Sequence, residues 1–285
     1  MVAVGCALAL VLGTWVFLAE RDRPAERSTA SPPSFSAVPP GTPTFTLLQM
    51  NLCLSGVARC HGWAYPEVVR EAIARIRAER PDAVTINEGC ARDLGRIARA
   101  TGYHLRFVRI GYLGGPFRCV RPGGRGLFGD AVLTTAPITS SRSHPFRHQE
   151  GPEVRRWLCV TAGRGPQVCT AHLEITGIGA GRPNAAQCAE LSRLLTRRAA
   201  AGPLVFGGDV NRTRTCAPTG FWTATDRSAT QEPGLQQVYG TAAGLRAPES
   251  VTIPAHFTDH DGLVVRVREP RRLRIGRSLR HPRQP

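Results

Sequence analysis

Residues 203–213 read PLVFGGDVNRT. A short apolar run, Leu204 to Phe206, opened by Pro203 and closed by Gly207-Gly208, has the length and bounds of a buried strand. Asp209 and Asn211 therefore lie just beyond a strand end. The same arrangement recurs along the chain. FTLLQM (45–50) is a buried strand that delivers Asn51, and AVTIN (83–87) is a second that delivers Glu88. VCTAHLEI (168–175) ends in His172 and Glu174, and Asp259-His260 stand immediately before another apolar run, GLVVRV (262–267). Each residue alone has a bland explanation: Asn51 as a turn residue, Glu88 as an acid favoured by a helix N-terminus, His172 as a half-buried histidine, Asp209-x-Asn211 as an Asx-turn. Independent turns would rarely repeat one arrangement, and loops carried on a rigid sheet are where chemistry collects.

Between these strands the pattern changes to helical spacing. PEVVREAIARIRAER (66–80) begins with a Pro suited to a first turn and carries Val69, Ile73 and Ile76 on one face with Arg on the other, which predicts an amphipathic helix stopped by Pro81-Asp82. ARDLGRIARATG (91–102) predicts a shorter helix closed by Gly102, and 183–200 a third. YHLRFVRI (103–110), GDAVLTTAPI (129–138, interrupted by Pro137) and GLQQVYG (234–240) add strands. No period repeats, so solenoid and collagen architectures are excluded, and 285 residues with 42% hydrophobic content suffice for one large domain.

The 37 basic residues are all Arg, against 21 acidic, for a formal net charge of +16. Eight Arg and one Glu fall in 266–285, so the last twenty residues supply +7 and leave +9 elsewhere. That balance suits polyanionic partners, nucleic acid or anionic headgroups, although a high-GC genome choosing Arg over Lys explains the same count. Residues 2–19, VAVGCALALVLGTWVFLA, form an uninterrupted apolar run before ERDRPAER. It reads as an export segment within 1–23, either a cleaved signal peptide or a signal-anchor that attaches the protein to a membrane. A Pro/Ser-rich linker (24–43), a folded domain (44–267) and an Arg-rich tail (268–285) follow.

Nine cysteines include Cys6 in the apolar segment, leaving an even number in the domain, as a disulfide framework in an oxidising compartment requires. WLCV and VCTA flank the turn-like GRGP, which puts Cys159 and Cys169 on adjacent hairpin strands. Cys53–Cys60 closes a short loop, and Cys90–Cys119 and Cys188–Cys216 follow by elimination. The absence of any CxxC pair argues against a structural zinc. The expected location is extracellular, or membrane-anchored with the domain outside the cytoplasm.

The ordered pieces QMN (49–51), INE (86–88), GDAVLTTAPI (129–138), TAHLE (170–174), GGDVN (207–211) and TDHDGLVV (258–265) resemble the endonuclease/exonuclease/phosphatase superfamily, the fold of deoxyribonuclease I. The resemblance implies an α/β fold, a four-layer α/β/β/α sandwich, and hydrolysis of phosphodiesters. It implies Mg²⁺ or Mn²⁺ held by Glu88 with Asn51 and Asp259, and water oriented or activated by Asp209. Asn211 and His172 would donate to phosphate oxygens, with His260 as general base or electrostatic partner. Net positive charge, Arg-rich loops such as RCVRPGGRG (118–126) and the cysteine framework of an extracellular enzyme favour a nucleic-acid substrate, and the expected state is a monomer. A phosphatase or sphingomyelinase-type phospholipase, with Phe221-Trp222 as the segment to insert into a bilayer, and an inactive polyanion-binding member are the alternatives.

Three positions depart from the family pattern. Asp130 stands where Asn is common, a change expected to be structural. Cys53 replaces a frequent carboxylate two residues after Asn51. Gln236 and Gln237 occupy the strand where an Asp usually orients the final His, which leaves Asp226 or Asp261 as substitutes.

Overall fold

The computed structural model describes residues 44–58, 60, 62–163, 165–228 and 233–269. The apolar segment 2–19, the linker and the Arg-rich tail lie outside these residues. Among the described residues, no helix is long and apolar enough to cross a membrane.

The chain runs β1 (Thr44–Asn51), α1 (Glu67–Glu79), β2 (Ala83–Cys90), α2 (Ala91–Thr101), β3 (His104–Arg109), β4 (Gly111–Tyr112), β5 (Gly115–Pro116), β6 (Phe128–Thr134) and β7 (Ile138–Pro145). It continues β8 (Glu153–Val154), β9 (Arg156–Ala162), β10 (Gln167–Ala171), α3 (Arg182–Ala199), β11 (Leu204–Asp209), β12 (Phe221–Thr225), β13 (Gln236–Thr241), β14 (Arg246–Ile253) and β15 (Gly262–Arg268). Two six-stranded mixed sheets result, ordered β14-β15-β1-β2-β6-β3 and β12-β13-β11-β10-β9-β7, with a small sheet β5-β4-β8 beside them.

The side-chain alternation of each central strand explains the layering, because successive residues point to opposite faces. In β1, Leu47 packs between the sheets with Val132, Val160, Val205, Val238 and Val265. Leu48 turns outward to meet Ile76 of α1 and Leu94 and Ile97 of α2. On the second sheet Phe206 and Tyr239 face Leu191 and Leu195 of α3. The order is thus helices, sheet, sheet, helix, the four-layer α/β/β/α sandwich that the family resemblance implies. Each fully buried Leu, Ile or Phe contributes about 1.5–3 kcal/mol of transfer free energy to these three interfaces.

The helices end as their sequences dictate. Gly102 adopts φ 78° and its N–H bonds to Ala98 O, closing α2. Arg80 takes the same left-handed shape after α1, ahead of Pro81. Pro66 stands at the N-cap of α1, one position before the first turn.

All four cysteine pairs form: Cys53–Cys60, Cys90–Cys119, Cys159–Cys169 and Cys188–Cys216. Cys159 and Cys169 are directly opposed in the β9–β10 ladder. The first two bridges brace the first sheet and its loops, and the other two brace the second sheet and α3.

Phe221 and Trp222 belong to β12. Phe221 packs against the α3 core and Trp222 Nε1 donates to Leu245 O at 3.0 Å.

Candidate active site

β1 and β2 run parallel with Asn51 beside Asn87, so both strands deliver their last polar residues to one end of the sheet. The β2–β6 ladder slips between Ile86 and Gly89, a bulge within which Glu88 takes φ 57°. A non-glycine residue in that region costs about 1–3 kcal/mol, and its surroundings must hold it there. Asp130 Oδ1 accepts from Glu88 N at 3.4 Å, and Leu54 N donates to Glu88 O at 2.9 Å. The bulge turns the Glu88 carboxylate off the alternating pleat and toward the end of β11 in the opposite sheet. There Asn211 repeats the device at φ 50°, with its N–H on Asp209 Oδ1 at 2.9 Å, an Asx-turn.

Every residue proposed from the sequence reaches one locus between the sheets. Asn51 Nδ2 donates to Glu88 Oε1 and Asp209 Oδ2, both at 3.0 Å, joining β1, β2 and β11. Asn211 Nδ2 lies 2.9 Å from His172 Nε2 and 2.8 Å from Leu173 O. Because a carbonyl only accepts, that atom is the amide nitrogen, so His172 Nε2 accepts and its proton sits on Nδ1, 3.9 Å from Glu88 Oε1. His260 Nε2 lies 3.6 Å from Asp259 Oδ1 and 3.8 Å from Asp209 Oδ2. His260 Nδ1 faces Gln236 Nε2 at 3.4 Å. Of the carboxylates that could replace the missing Asp, Asp226 receives Gly234 N, and Asp261 receives Ala255 N and Ser228 Oγ.

Burial sets the charge state of the site. Desolvation pushes Glu88 up to about 7, against the hydrogen bond from Asn51. Burial likewise raises Asp130 to about 7, opposed by the hydrogen bond from Asn87, and its Oδ2 has no hydrogen-bond partner. His172 is driven well below its ordinary value by burial, with the Arg155 charge adding repulsion, so it is neutral.

Several residues that the sequence pattern did not single out support this locus. Arg155, buried beside the Glu88 and Asp130 carboxylates, pairs with Glu153 Oε2 at 3.2 Å and Glu174 Oε1 at 3.7 Å. Gln49, Asn87 and Thr85 form a buried polar chain beneath Asn51 and Asp209. Glu71 of α1 accepts from His256 N and Phe257 N at 3.1–3.2 Å, pinning the loop that leads into Thr258-Asp259-His260. Only GPEVRR (151–156), a charged run entering a hairpin strand, carried a visible signal.

Cys53 cannot act as a metal ligand, because its sulfur is bonded to Cys60. The two sulfurs lie within 4.8 Å of the Asp259 carboxylate and wall that side of the site.

The endonuclease/exonuclease/phosphatase family model matches residues 50–265. The chain belongs to this family. Among curated proteins, no sequence matches it. Solved structures of the same fold include the human Nocturnin catalytic domain with bound sulfate, 17% identical with a TM-score of 0.61 over 79% of this chain and 93% of that one. TDP2 from C. elegans is 14% identical with a TM-score of 0.59, covering 79% and 75%. D. rerio TDP2 complexed with a single-strand DNA product is 13% identical with a TM-score of 0.54, covering 79% and 98%. Likenesses at this identity establish the fold, and family membership makes the chain a phosphoric ester hydrolase by class.

Glu88 and Asp259 offer carboxylate oxygens, and Asn51 an amide oxygen that accepts from Cys53 N at 3.0 Å while its nitrogen faces Glu88 and Asp209, so the carboxylates are the main donors for a hard divalent cation such as Mg²⁺ or Mn²⁺. A Glu88 carboxyl whose burial is uncompensated inside the protein is the kind of group that a bound cation relieves.

Proposed function

We propose that this chain is an exported, Mg²⁺- or Mn²⁺-dependent phosphodiesterase that cleaves nucleic acid as a monomer. The observation that carries it is the meeting of Asn51, Glu88, His172, Asp209, Asn211, Asp259 and His260 at one locus, from strand ends of two different sheets. Glu88 and Asp259, with Asn51 beside them, would hold the divalent cation, which when bound would neutralise charge on the phosphate and polarise it for attack. Asn51 bridges Glu88 to Asp209 and so fixes the distance between the metal side of the site and the carboxylate that orients water. Asn211 Nδ2 is the group free to donate to a phosphate oxygen once substrate displaces its hydrogen bond to His172 Nε2, and His172, with its proton on Nδ1 toward Glu88, positions that amide.

The choice of nucleic acid is supported by the excess of Arg and by its placement. Arg109 and Arg156 line one cleft with Gly111, Gly114, Gly115 and Pro116, and Arg156 is pushed below its ordinary value by burial and by the Arg109 charge. Arg212 and Arg214 line a second cleft beside Asn211. Two like charges sharing a cleft are favourable only when an anion sits between them, and a phosphodiester backbone supplies anions on both sides of a scissile bond. The single-strand DNA product bound by a protein of the same fold agrees with that substrate. Export is supported by the apolar run 2–19 and by four disulfides, which persist in an oxidising compartment.

The test is plasmid nicking by the disulfide-intact protein with Mg²⁺ or Mn²⁺, beside an EDTA control and Asp209→Ala. Metal-dependent nicking lost in both controls is the expected result. A folded protein that nicks nothing under these conditions overturns the nuclease assignment.

A further inference from the structure

We infer that His260 serves the reaction as a hydrogen-bond donor through Nε2–H, with a lone pair kept at Nδ1 by a chain of buried amides anchored on the backbone. The chain can be oriented because peptide groups have a single polarity. Asp209 N–H, which only donates, lies 2.9 Å from Asn87 Oδ1, so that atom is the amide oxygen, and the Asn87 nitrogen points to Asp130 Oδ1 at 3.1 Å. Gln49 Nε2 meets the same Asn87 oxygen at 2.8 Å and the Met50 carbonyl, which only accepts, at 3.2 Å. That atom is therefore a donor, and the Gln49 oxygen is left to the Thr85 hydroxyl at 2.5 Å. The two protons of the Gln49 nitrogen serve the shorter contacts, Asn87 Oδ1 and Gln236 Oε1, both at 2.8 Å, with the Met50 carbonyl sharing one of them, and the Gln236 oxygen so placed turns its nitrogen toward His260 Nδ1 at 3.4 Å. A donor facing Nδ1 requires a lone pair there, and in a neutral ring the proton then sits on Nε2.

The other side of the ring agrees independently. His260 Nε2 faces Asp259 Oδ1 at 3.6 Å and Asp209 Oδ2 at 3.8 Å. Two carboxylate oxygens attract an N–H and repel a lone pair. Gln49, Asn87 and Gln236 are all fully buried, so water cannot substitute for any link.

The consequence follows from position 236. A carboxylate there would accept from Nδ1–H and leave Nε2 free to take a proton from water. Gln236 imposes the reverse: Nε2 already carries its proton, so His260 donates to a phosphoryl oxygen and is not the general base. Gln236, Gln49 and Asn87 are positioning residues for this donor. The consequence for the reaction rests on the phosphodiesterase assignment above, but the tautomer does not.

Two-bond proton–nitrogen correlation spectra of the disulfide-intact protein, labelled with ¹⁵N-histidine, test it, with His260→Gln used to assign the resonances. The expected result is a protonated Nε2 and a bare Nδ1 on His260, with the proton moved to Nδ1 in Gln236→Glu. A wild-type proton on Nδ1 overturns the inference. In the nicking assay His260→Ala is expected to lose about 10²–10³-fold. His260→Gln, whose amide N–H stands near the former Nε2–H, is expected to stay at least about tenfold above Ala. Equal losses in the two variants overturn the donor role. The spectra decide the tautomer whether or not the wild type cleaves a phosphodiester, so a failure of the functional assignment is seen separately.

Discussion

Replacing Glu88 by Gln should stabilise the metal-free protein at neutral to basic pH while removing the charge on which metal binding depends. Burial raises the Glu88 carboxyl from an ordinary 4.5 to about 7. Between these values the unfolded chain has released the proton and the folded protein keeps it. Stability therefore falls as pH rises through this window and levels off above it. The difference corresponds to about 3 kcal/mol of ionisation cost carried by the folded, metal-free protein once Glu88 is charged. The side chain is only 16% exposed, so solvent screening removes little of this. Gln retains the oxygen that accepts from Asn51 Nδ2, which keeps the neighbouring geometry. The assay is thermal unfolding in EDTA at about pH 4 and about pH 8, outside the window on either side. Glu88→Gln should unfold roughly 6–12 °C above the wild type at the higher pH and close to it at the lower. Added Mg²⁺ or Mn²⁺ should raise the wild-type midpoint and leave the variant unmoved. Parallel pH dependence in the two proteins would refute the claim that Glu88 is held in an uncompensated buried position.

Asp130→Asn should also stabilise the metal-free protein above neutral pH, by about 2–4 kcal/mol, because it removes a second buried acid raised to about 7; urea unfolding in EDTA checks this. Replacing Cys188 and Cys216, 28 residues apart, with Ala should cost about 3–4 kcal/mol, read as a lower denaturation midpoint with an intact fold. Arg109→Gln with Arg156→Gln should lower the dependence of log affinity for labelled DNA on log salt by about 1–2, without altering cleavage of a small phosphodiester ester. Glu71→Ala frees His256 N and Phe257 N, and should speed hydrogen exchange through 255–260 and lower kcat while the thermal midpoint falls by only a few degrees.

The sequence announces those parts of the molecule in which one face is buried. β6 and β11 are buried throughout, and β1 and β2 at all but one residue each, and their apolar runs stop where the polar residues begin. Edge strands lack that signature. β7, ITSSRSHP, exposes most of its residues and pairs only with β9, and β14 carries Pro248 and a register shift against β15, its single partner. Neither was apparent from pattern. At the site, residues that lie at strand ends were legible, and those acting through others were not. Gln49 alternates inward from a strand as any residue of its parity does, and nothing local distinguishes it from a packed polar side chain. Arg155 is missed for a different reason: it gains its role only when β8, two residues long, pairs with β4 and brings its charge within electrostatic range of Glu88. Gln236 was legible as a departure from pattern, but its consequence depends on which way its amide faces, a property of three other buried side chains.

The four disulfides never cross from one sheet to the other, whereas the reactive groups come from both. Asn51, Glu88, Asp259 and His260 belong to one sheet and the loops at its end, and His172, Asp209 and Asn211 to the other. Each half is thus stapled internally, and the contact that brings the halves into register is noncovalent. Function becomes a logical conjunction of two braced parts: a chain in which either half has oxidised and folded alone presents an incomplete set of ligands.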